Sequence, residues 1–357
     1  MKYLFLYVLS PQRGIHHSAS LFTSLVVTRL VFDTFITMGW MKSLPMLHLI
    51  KSPNLDFMKL AKPAFIISWT LIIIGVGYGF SRGKGMLGFE VLGGDNLTLT
   101  FKEKVEQDKL SVALKPVVGE ALIQYQREVI GTVEKLSVTS SFDTTDKIVS
   151  TLTKSFPQAE FKLAGSRRVG ATVGEEILRS AVIALLLSLL GILVYVAFRY
   201  EFSFAVGAVV AILHDILMTM GWFFLSGREM SGPFVAAILT IIGFSINDTI
   251  VIFDRIREDL KMGVRGSFRE IMNHALNQTL SRTIITSGTV FLATMSLYLF
   301  GGGVINDFAF TFLVGIITGT YSSIYIASAL VLWWNKGNRP QLGSGVALEG
   351  TSSARAA

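Results

Sequence analysis

The chain has 357 residues, of which 51% are hydrophobic and 16% charged, with a formal net charge of +7. Soluble domains carry about 25% charged residues, so an ordinary soluble enzyme and a disordered chain are both excluded. There is no cysteine, hence no disulfide, thiol nucleophile or thiolate metal site, and five dispersed histidines do not suggest a zinc cluster. No metal, cofactor, nucleic-acid partner or catalytic activity is expected.

The first apolar run, residues 3–9, is too short for a signal peptide and lacks a small-residue cleavage site. Crossing a hydrocarbon layer of ~30 Å takes about 20 apolar residues. Seven segments meet or approach that length: residues 20–40, 65–80, 177–198, 204–225, 234–253, 283–300 and 308–334. The second extends backward through Lys62 and Pro63, because lysine can snorkel.

Between the second and third spans, residues 85–176 have a different texture. Residues 96–102 alternate like a strand, with Leu97, Leu99 and Phe101 on one face. Residues 107–119 read as a helix. Residues 121–130 and 134–140 read as strands about a Gly131-Thr132 turn. Thr144 caps a helix that aligns Ile148, Leu152 and Phe156; Pro157 ends it, and 159–163 form a last strand. The order βαββαβ predicts a small ferredoxin-like domain.

Orientation follows from Lys and Arg in short loops. Residues 41–62 hold Lys42, Lys51, Lys59 and Lys62. Residues 254–282 hold Arg255, Arg257, Lys261, Arg265, Arg269 and Arg282. On the other side, 226–233 has only Arg228 and 301–307 has none. The cationic loops therefore face the cytoplasm, with the βαββαβ domain outside. The expected fold is a polytopic α-helical membrane protein of about seven spans with one small α+β extracytoplasmic domain. Its parts are an N-terminal segment 1–17, a span 18–42, a cytoplasmic linker 43–62, a span 63–84, the domain 85–176, a five-helix bundle 177–335 and a disordered cytoplasmic tail 336–357.

Ionisable residues inside spans cost at least ~2.5–3.5 kcal/mol each on insertion scales, so they carry the chemistry. Arg29 and Asp33 are four apart on one helix face, either anchoring a helix end or forming a membrane ion pair. Asp215 lies near the middle of its span, with His214 on a different face. Asp248 lies deep in the next, within Gly243-Phe244-Ser245-Ile246-Asn247-Asp248-Thr249, whose small and polar residues allow close helix packing. Arg282 opens the sixth span, as a snorkelling anchor or as a fixed cation for an intramembrane carboxylate. Pairing favours the charged acid and burial the neutral one, so rearranging such a pair can move a proton. Asp248 and Arg282 lie at similar depth on consecutive antiparallel spans. The glycines at 301–303 have no following Lys-Ser/Thr and no preceding strand, so nucleotide binding is rejected.

Several motifs resemble the SecD/SecF protein-export family on its SecF side. Gly88-Phe89-Glu90-Val91-Leu92-Gly93-Gly94 is similar to the family's Gly-Ile-Asp-Phe-x-Gly-Gly, with Glu90 in place of Asp. Val169-Gly170-Ala171-Thr172-Val173-Gly174-Glu175-Glu176 resembles Val-Gly-Pro-x-x-Gly-x-Glu, with Ala171 in place of Pro. Leu213-His214-Asp215, Ser245-Ile246-Asn247-Asp248-Thr249 and Ser281-Arg282-Thr283 complete the pattern across residues 60–336. Residues 18–40 resemble the last SecD span, so the chain looks like the C-terminal part of a fused SecD–SecF protein; residues 1–17 match neither.

The resemblance implies the resistance–nodulation–division superfamily, a bacterial inner-membrane location and no enzyme. It also implies a role in late preprotein translocation driven by the proton gradient. The partners it implies are a SecD-type subunit, the SecYEG channel, YajC, YidC and the unfolded preprotein. It places the proton couple at Asp248 and Arg282, with Asp215 as a second polar site. Two other readings stand beside it. A small-molecule or lipid exporter of the same superfamily would carry two large porter domains and about twelve spans. An intramembrane aspartyl protease would need Asp215 and Asp248 to share a site and a proton.

Overall fold

The computed structural model describes residues 22–40, 54–88, 91, 93–119, 121–127, 134–140, 142–301 and 303–340. The expectations for 1–17, for most of the linker 43–62, for Glu90 and for the tail beyond 340 lie outside the described residues. The chain divides into two compact units, Met1–Lys51 and Ser52–Ala357.

In the first unit the described residues form one helix: a π-helical turn Thr23–Val27 followed by α1, Thr28–Thr37. Arg29 and Asp33 pair on it at 3.6 Å, both exposed. At ~1.5 Å per residue, residues 23–37 rise only about 22 Å. Seven spans were expected from apolar runs. Among the described residues, six helices are long and apolar enough to cross a membrane.

The second unit begins with α2, Phe57–Ser81, capped by Asp56, whose carboxylate accepts from the Lys59 N–H. The helix thus starts before the span predicted from residue 63. The polar stretch then forms β1 (Gly94–Thr100), α3 (Gln107–Val118), β2 (Leu122–Arg127), β3 (Glu134–Ser140), α4 (Thr145–Ser155) and β4 (Lys162–Val169). All three strand pairings are antiparallel, in the order β2-β3-β1-β4. Leu97, Leu99, Leu136 and Val138 on one sheet face meet Leu110, Leu114, Ile148 and Leu152 from the two helices, and all eight are fully buried. Eight buried branched side chains of this kind contribute roughly 1.5–3 kcal/mol each relative to exposure.

Two glycines begin this domain. Gly93 and Gly94 have φ of +76° and +137°. A Cβ on Gly94 would sit 2.4 Å from the Ser140 carbonyl oxygen, so both conformation and space require glycine there. The last strand differs from the predicted 159–163. Pro157–Ala159 form a 3-10 turn whose Ala159 fills the core, and the strand starts at Lys162. It is an edge strand, paired only to β1 with a bulge opposite Thr98/Leu99, so its Arg167 and Arg168 stay exposed and no apolar alternation marks it.

Gly170, in extended conformation, caps α5 (Ala171–Arg199), and Gly174 donates its N–H back to the Gly170 carbonyl. The chain continues through α6 (Phe202–Leu225), α7 (Gly232–Lys261), α8 (Phe268–Phe300) and α9 (Gly303–Ser322). A π-helical turn, Ser323–Ala327, leads into α10, Ser328–Trp334, completing the last span. The loop predicted at 254–281 is mostly helical, because α7 and α8 both project past their apolar stretches and a Ser267–Glu270 capping box starts α8. The midsections of α6 and the last span are the most enclosed. By contrast, α2, α5 and α8 turn Leu, Ile and Val outward, as a helix facing hydrocarbon requires.

At the end of the bundle next to the βαββαβ domain, a strap joins the two. Gly88 donates to the Met230 carbonyl at 2.8 Å, and Met230 donates to that of Met86 at 2.8 Å. Arg82 caps the end of α6 by donating to the carbonyls of Phe224, Gly227 and Arg228.

Candidate functional site

Close packing of α9 against α7 builds the site. A Cβ on Gly315 would lie 2.3 Å from the Ile241 side chain, and one on Gly319 would lie 3.2 Å from Ser245 Cβ. With no side chain at these positions the two helices approach closely, as small residues permit in membranes. Hydroxyls flanking the contact can then reach across it.

Asp215, on α6, is fully buried. Its Oδ2 accepts from Ser245 Oγ of α7 at 2.5 Å and from Ser322 Oγ of α9 at 2.8 Å. Its Oδ1 faces His214 Nδ1 at 3.3 Å. Asp248, on α7, is 3% exposed, and its Oδ2 accepts from Ser287 Oγ of α8 at 3.2 Å. Ser287 is in turn 2.9 Å from Thr320 Oγ1 of α9, and Thr249 is 2.8 Å from Ser323 Oγ. Each carboxylate therefore has its own hydroxyl partners, and Ser287 and Thr249 meet hydroxyls of residues 320–323. Asp215 and Asp248 share neither a partner nor a hydrogen bond, unlike the paired acids of an aspartyl protease.

Arg282 lies close enough to act on Asp248 through its charge. No ion pair joins the two among the described residues, and Ser287 holds the carboxylate instead. Arg282 and Asn247 are exposed on the bundle surface. Thr249 is buried. Gly93, Gly94, Gly170 and Gly174 lie outside this site, where they shape the two ends of the βαββαβ domain. Arg29 and Asp33 belong to the other unit. Ser287, Thr320, Ser322 and Ser323 escaped the sequence reading. Their only signal was a run of hydroxyl residues beside glycines in an apolar span.

Among the perturbed carboxyl groups outside the spans are Asp95 and Glu229. In the βαββαβ domain, the Arg168 guanidinium hydrogen-bonded to Asp95 holds that buried carboxyl below the usual range. At the end of the bundle next to the βαββαβ domain, burial pushes Glu229 up to about 7, against the opposing charge of Arg82 and with help from Asp307. No group of three or more metal-ligating residues occurs among the described residues.

Comparisons with known proteins agree with this architecture. Residues 148–337 match the family model described as protein export membrane protein SecD/SecF, C-terminal. Protein translocase subunit SecF of Calditerrivibrio nitroreducens is 41% identical over 292 residues, covering 80% of this chain and 96% of that protein. Protein translocase subunit SecDF of Thermus thermophilus is 35% identical over 355 residues, covering 95% of this chain and 47% of that longer protein. The crystal structure of SecDF from the same organism, described as a translocon-associated membrane protein, superposes with a TM-score of 0.78 at 36% identity. The match covers 89% of this chain and 43% of that one.

Proposed function

We infer the function from one premise: this chain belongs to the SecD/SecF family of protein export membrane proteins. It acts as an auxiliary, SecF-type subunit of protein export and is a multi-pass membrane protein. Its work is to couple proton movement to late translocation of a preprotein. The observation that carries the coupling is Asp248, a buried mid-span carboxylate held by the Ser287 hydroxyl, with the guanidinium of Arg282, unpaired among the described residues, in Coulombic reach.

The carboxyl has two alternative partners. With Ser287 as donor, Arg282 is free. With Arg282 swung inward, the acid is paired and its charge is favoured. A proton arriving at Asp248 releases Arg282, and its loss draws Arg282 back. Such a swap changes the contacts of α7, α8 and, through Ser287–Thr320, of α9.

The outer domain is read as ferredoxin-like, from its βαββαβ order and antiparallel β2-β3-β1-β4 sheet. The Lys/Arg asymmetry supports placing this domain outside and the α7–α8 turn in the cytoplasm. The helix at residues 23–37 is read as the last SecD-type span of a fused chain, because the Thermus SecDF match extends over 95% of the sequence. A SecD-type subunit or the translocon covers the exposed polar face of Thr240, Gly243, Asn247 and Arg282, which lipid would leave unsatisfied.

The test is preprotein export in vesicles, with and without an imposed proton gradient, at matched protein level. Asp248→Asn and Arg282→Met should each abolish gradient-dependent stimulation and leave ATP-driven export intact, with Asp248→Glu milder. Full stimulation in Asp248→Asn would refute the coupling role.

A further inference from the structure

His214 stands beside Asp215 in the centre of the bundle, and its surroundings differ from those of a packing residue. It is fully buried, and its Nε2 has no hydrogen-bond partner. Buried polar atoms are ordinarily satisfied, and an exception calls for a reason. The Nδ1 atom faces Asp215 Oδ1 at 3.3 Å. With Asp215 ionised its carboxylate only accepts, so Nδ1 carries the hydrogen and Nε2 keeps a lone pair. The second ring nitrogen is thus a base enclosed among α2, α6 and the last span.

We propose that His214 Nε2 is a proton-binding site of this protein, separate from Asp248, with Asp215 as the anion that holds and balances the resulting imidazolium. The inference deepens the gradient-coupled reading and rests on it for its purpose, though not for its chemistry. One proton adds to Nε2 as a new N–H bond, no other bond breaks, and the same proton leaves from that atom.

Four features fit this role. Asp215 is fixed by two hydroxyl donors, Ser245 and Ser322, so it need not rotate away when the ring becomes charged. The imidazole lies edge-to-face with Trp69 and stacked with Tyr321, with centroids 5.9 and 6.0 Å away, the range in which aromatic rings stabilise a cation. Trp69 Nε1, on a ring beside the imidazole, is also buried without a partner among the described residues. Ser322 and Tyr321 belong to the helix whose hydroxyls reach the Asp248 side, so the two sites share a mechanical element.

The groups facing the ring are few. They are Asp215 on its own helix, Trp69 of α2, and Tyr321 of the last span, whose hydroxyl donates to the Ala64 carbonyl at 2.6 Å, with Tyr325 behind it. From α7 comes Ser245, through Asp215, with Asp248 one turn beyond. Asp215 is the charge in direct contact.

The experiment uses the full chain, labelled with 15N-histidine and reconstituted in lipid. The His214 resonance is assigned by its loss in His214→Asn, which keeps an amide N–H for Asp215. Across a pH series, that resonance should move from the neutral to the imidazolium position. In Asp215→Asn the transition should differ from that of the unaltered chain, because the balancing anion is gone. In vesicles, His214→Asn at matched level should lose gradient-driven stimulation roughly 10-fold or more, as the loss of a proton-transfer group implies. A His214 resonance that does not titrate, or one that titrates identically in Asp215→Asn, overturns the proposal. So does full stimulation in His214→Asn. Asp248→Asn that retains stimulation would instead sink the gradient-coupled reading while leaving the titration in place.

Discussion

Asp95 is the most heavily used carboxylate of the βαββαβ domain, and replacing it with Asn should destabilise that domain strongly. It is 1% exposed. It accepts from Arg168 at 2.8 and 3.2 Å and from the Asp143 N–H at 2.9 Å, where Asp143 holds a left-handed turn at φ +59°. Removing one partner of a buried pair costs about 3–5 kcal/mol. Here the Arg168 side chain is 56% exposed and keeps its 2.6 Å bond to Asp143, so water and that bond offset part of the loss. About 2–3 kcal/mol remains, in line with hydrogen bonds to a charged group. For a domain of this size that corresponds to a fall in Tm of about 10–20 °C. The assay is thermal unfolding of soluble residues 85–172, followed by circular dichroism. The pH dependence has a definite sign. The folded-state pKa of Asp95 is depressed below 3.8, so its stabilisation is present above that value and is lost as pH falls through the lower, folded-state value. The gap between wild type and Asp95→Asn should therefore narrow on acidification from about pH 5 toward 2. A variant melting within ~3 °C of wild type at neutral pH, about 0.5 kcal/mol, would refute the reasoning.

Two further outcomes are expected. Gly75 of α2 packs directly on α6, where an added Cβ would meet Gly221 Cα at 2.6 Å, whereas Gly77 has open space. Gly75→Leu should lower the melting temperature in detergent, by overpacking worth about 1–3 kcal/mol, and Gly77→Leu should not. Glu229 is raised from 4.5 to about 7, so the folded state binds a proton that the unfolded state releases. The strap at Met86–Gly88 should therefore loosen as pH rises through 7. Intrinsic-rate-corrected amide exchange at Gly88 and Met230 should rise, and Glu229→Gln should abolish the rise.

The spans were legible because a run of about 20 apolar residues has few other uses. Asp215, Asp248 and Arg282 were legible because charge there is costly. Their partners were not. Serine and threonine in a helix ordinarily bond the carbonyl three or four residues back, as Thr286, Ser322 and Ser323 also do here, so a hydroxyl alone does not announce that it faces a carboxylate. His214 was set on a different face from Asp215, since neighbouring residues diverge on a helix, yet the ring bends back to its neighbour. The sequence suggested that Arg282 and Asp248 meet but did not show that Ser287 occupies the carboxylate. β4 was missed in part because its exposed Gly-Ser-Arg-Arg segment forms a strand by pairing to β1, not by its own pattern.

The last span is the part of the molecule that could transmit a change at either carboxylate. Ser322 touches Asp215 directly, while Thr320 reaches Asp248 through Ser287. Just beyond them the helix widens into a π turn at Ser323–Ala327, where Ser328 donates five residues back to the Ser323 carbonyl. Such bulges hold one residue more than an α-turn and recur at functional sites. At the opposite end of α9, Asp307 and Asn306 accept from Arg228, in the loop whose Met230 is strapped to Gly88 and Met86. On the proposed coupling, a hydroxyl released at residue 320 or 322 would alter the seating of the same helix whose far end is tied to the base of the βαββαβ domain. That continuity needs no long-range pathway: one helix has its middle at the carboxylates and its end at the strap. If the carboxylates bind protons as proposed, substitutions that cut the tie at Asp307 should therefore leave that binding in place while uncoupling it from any response of the domain.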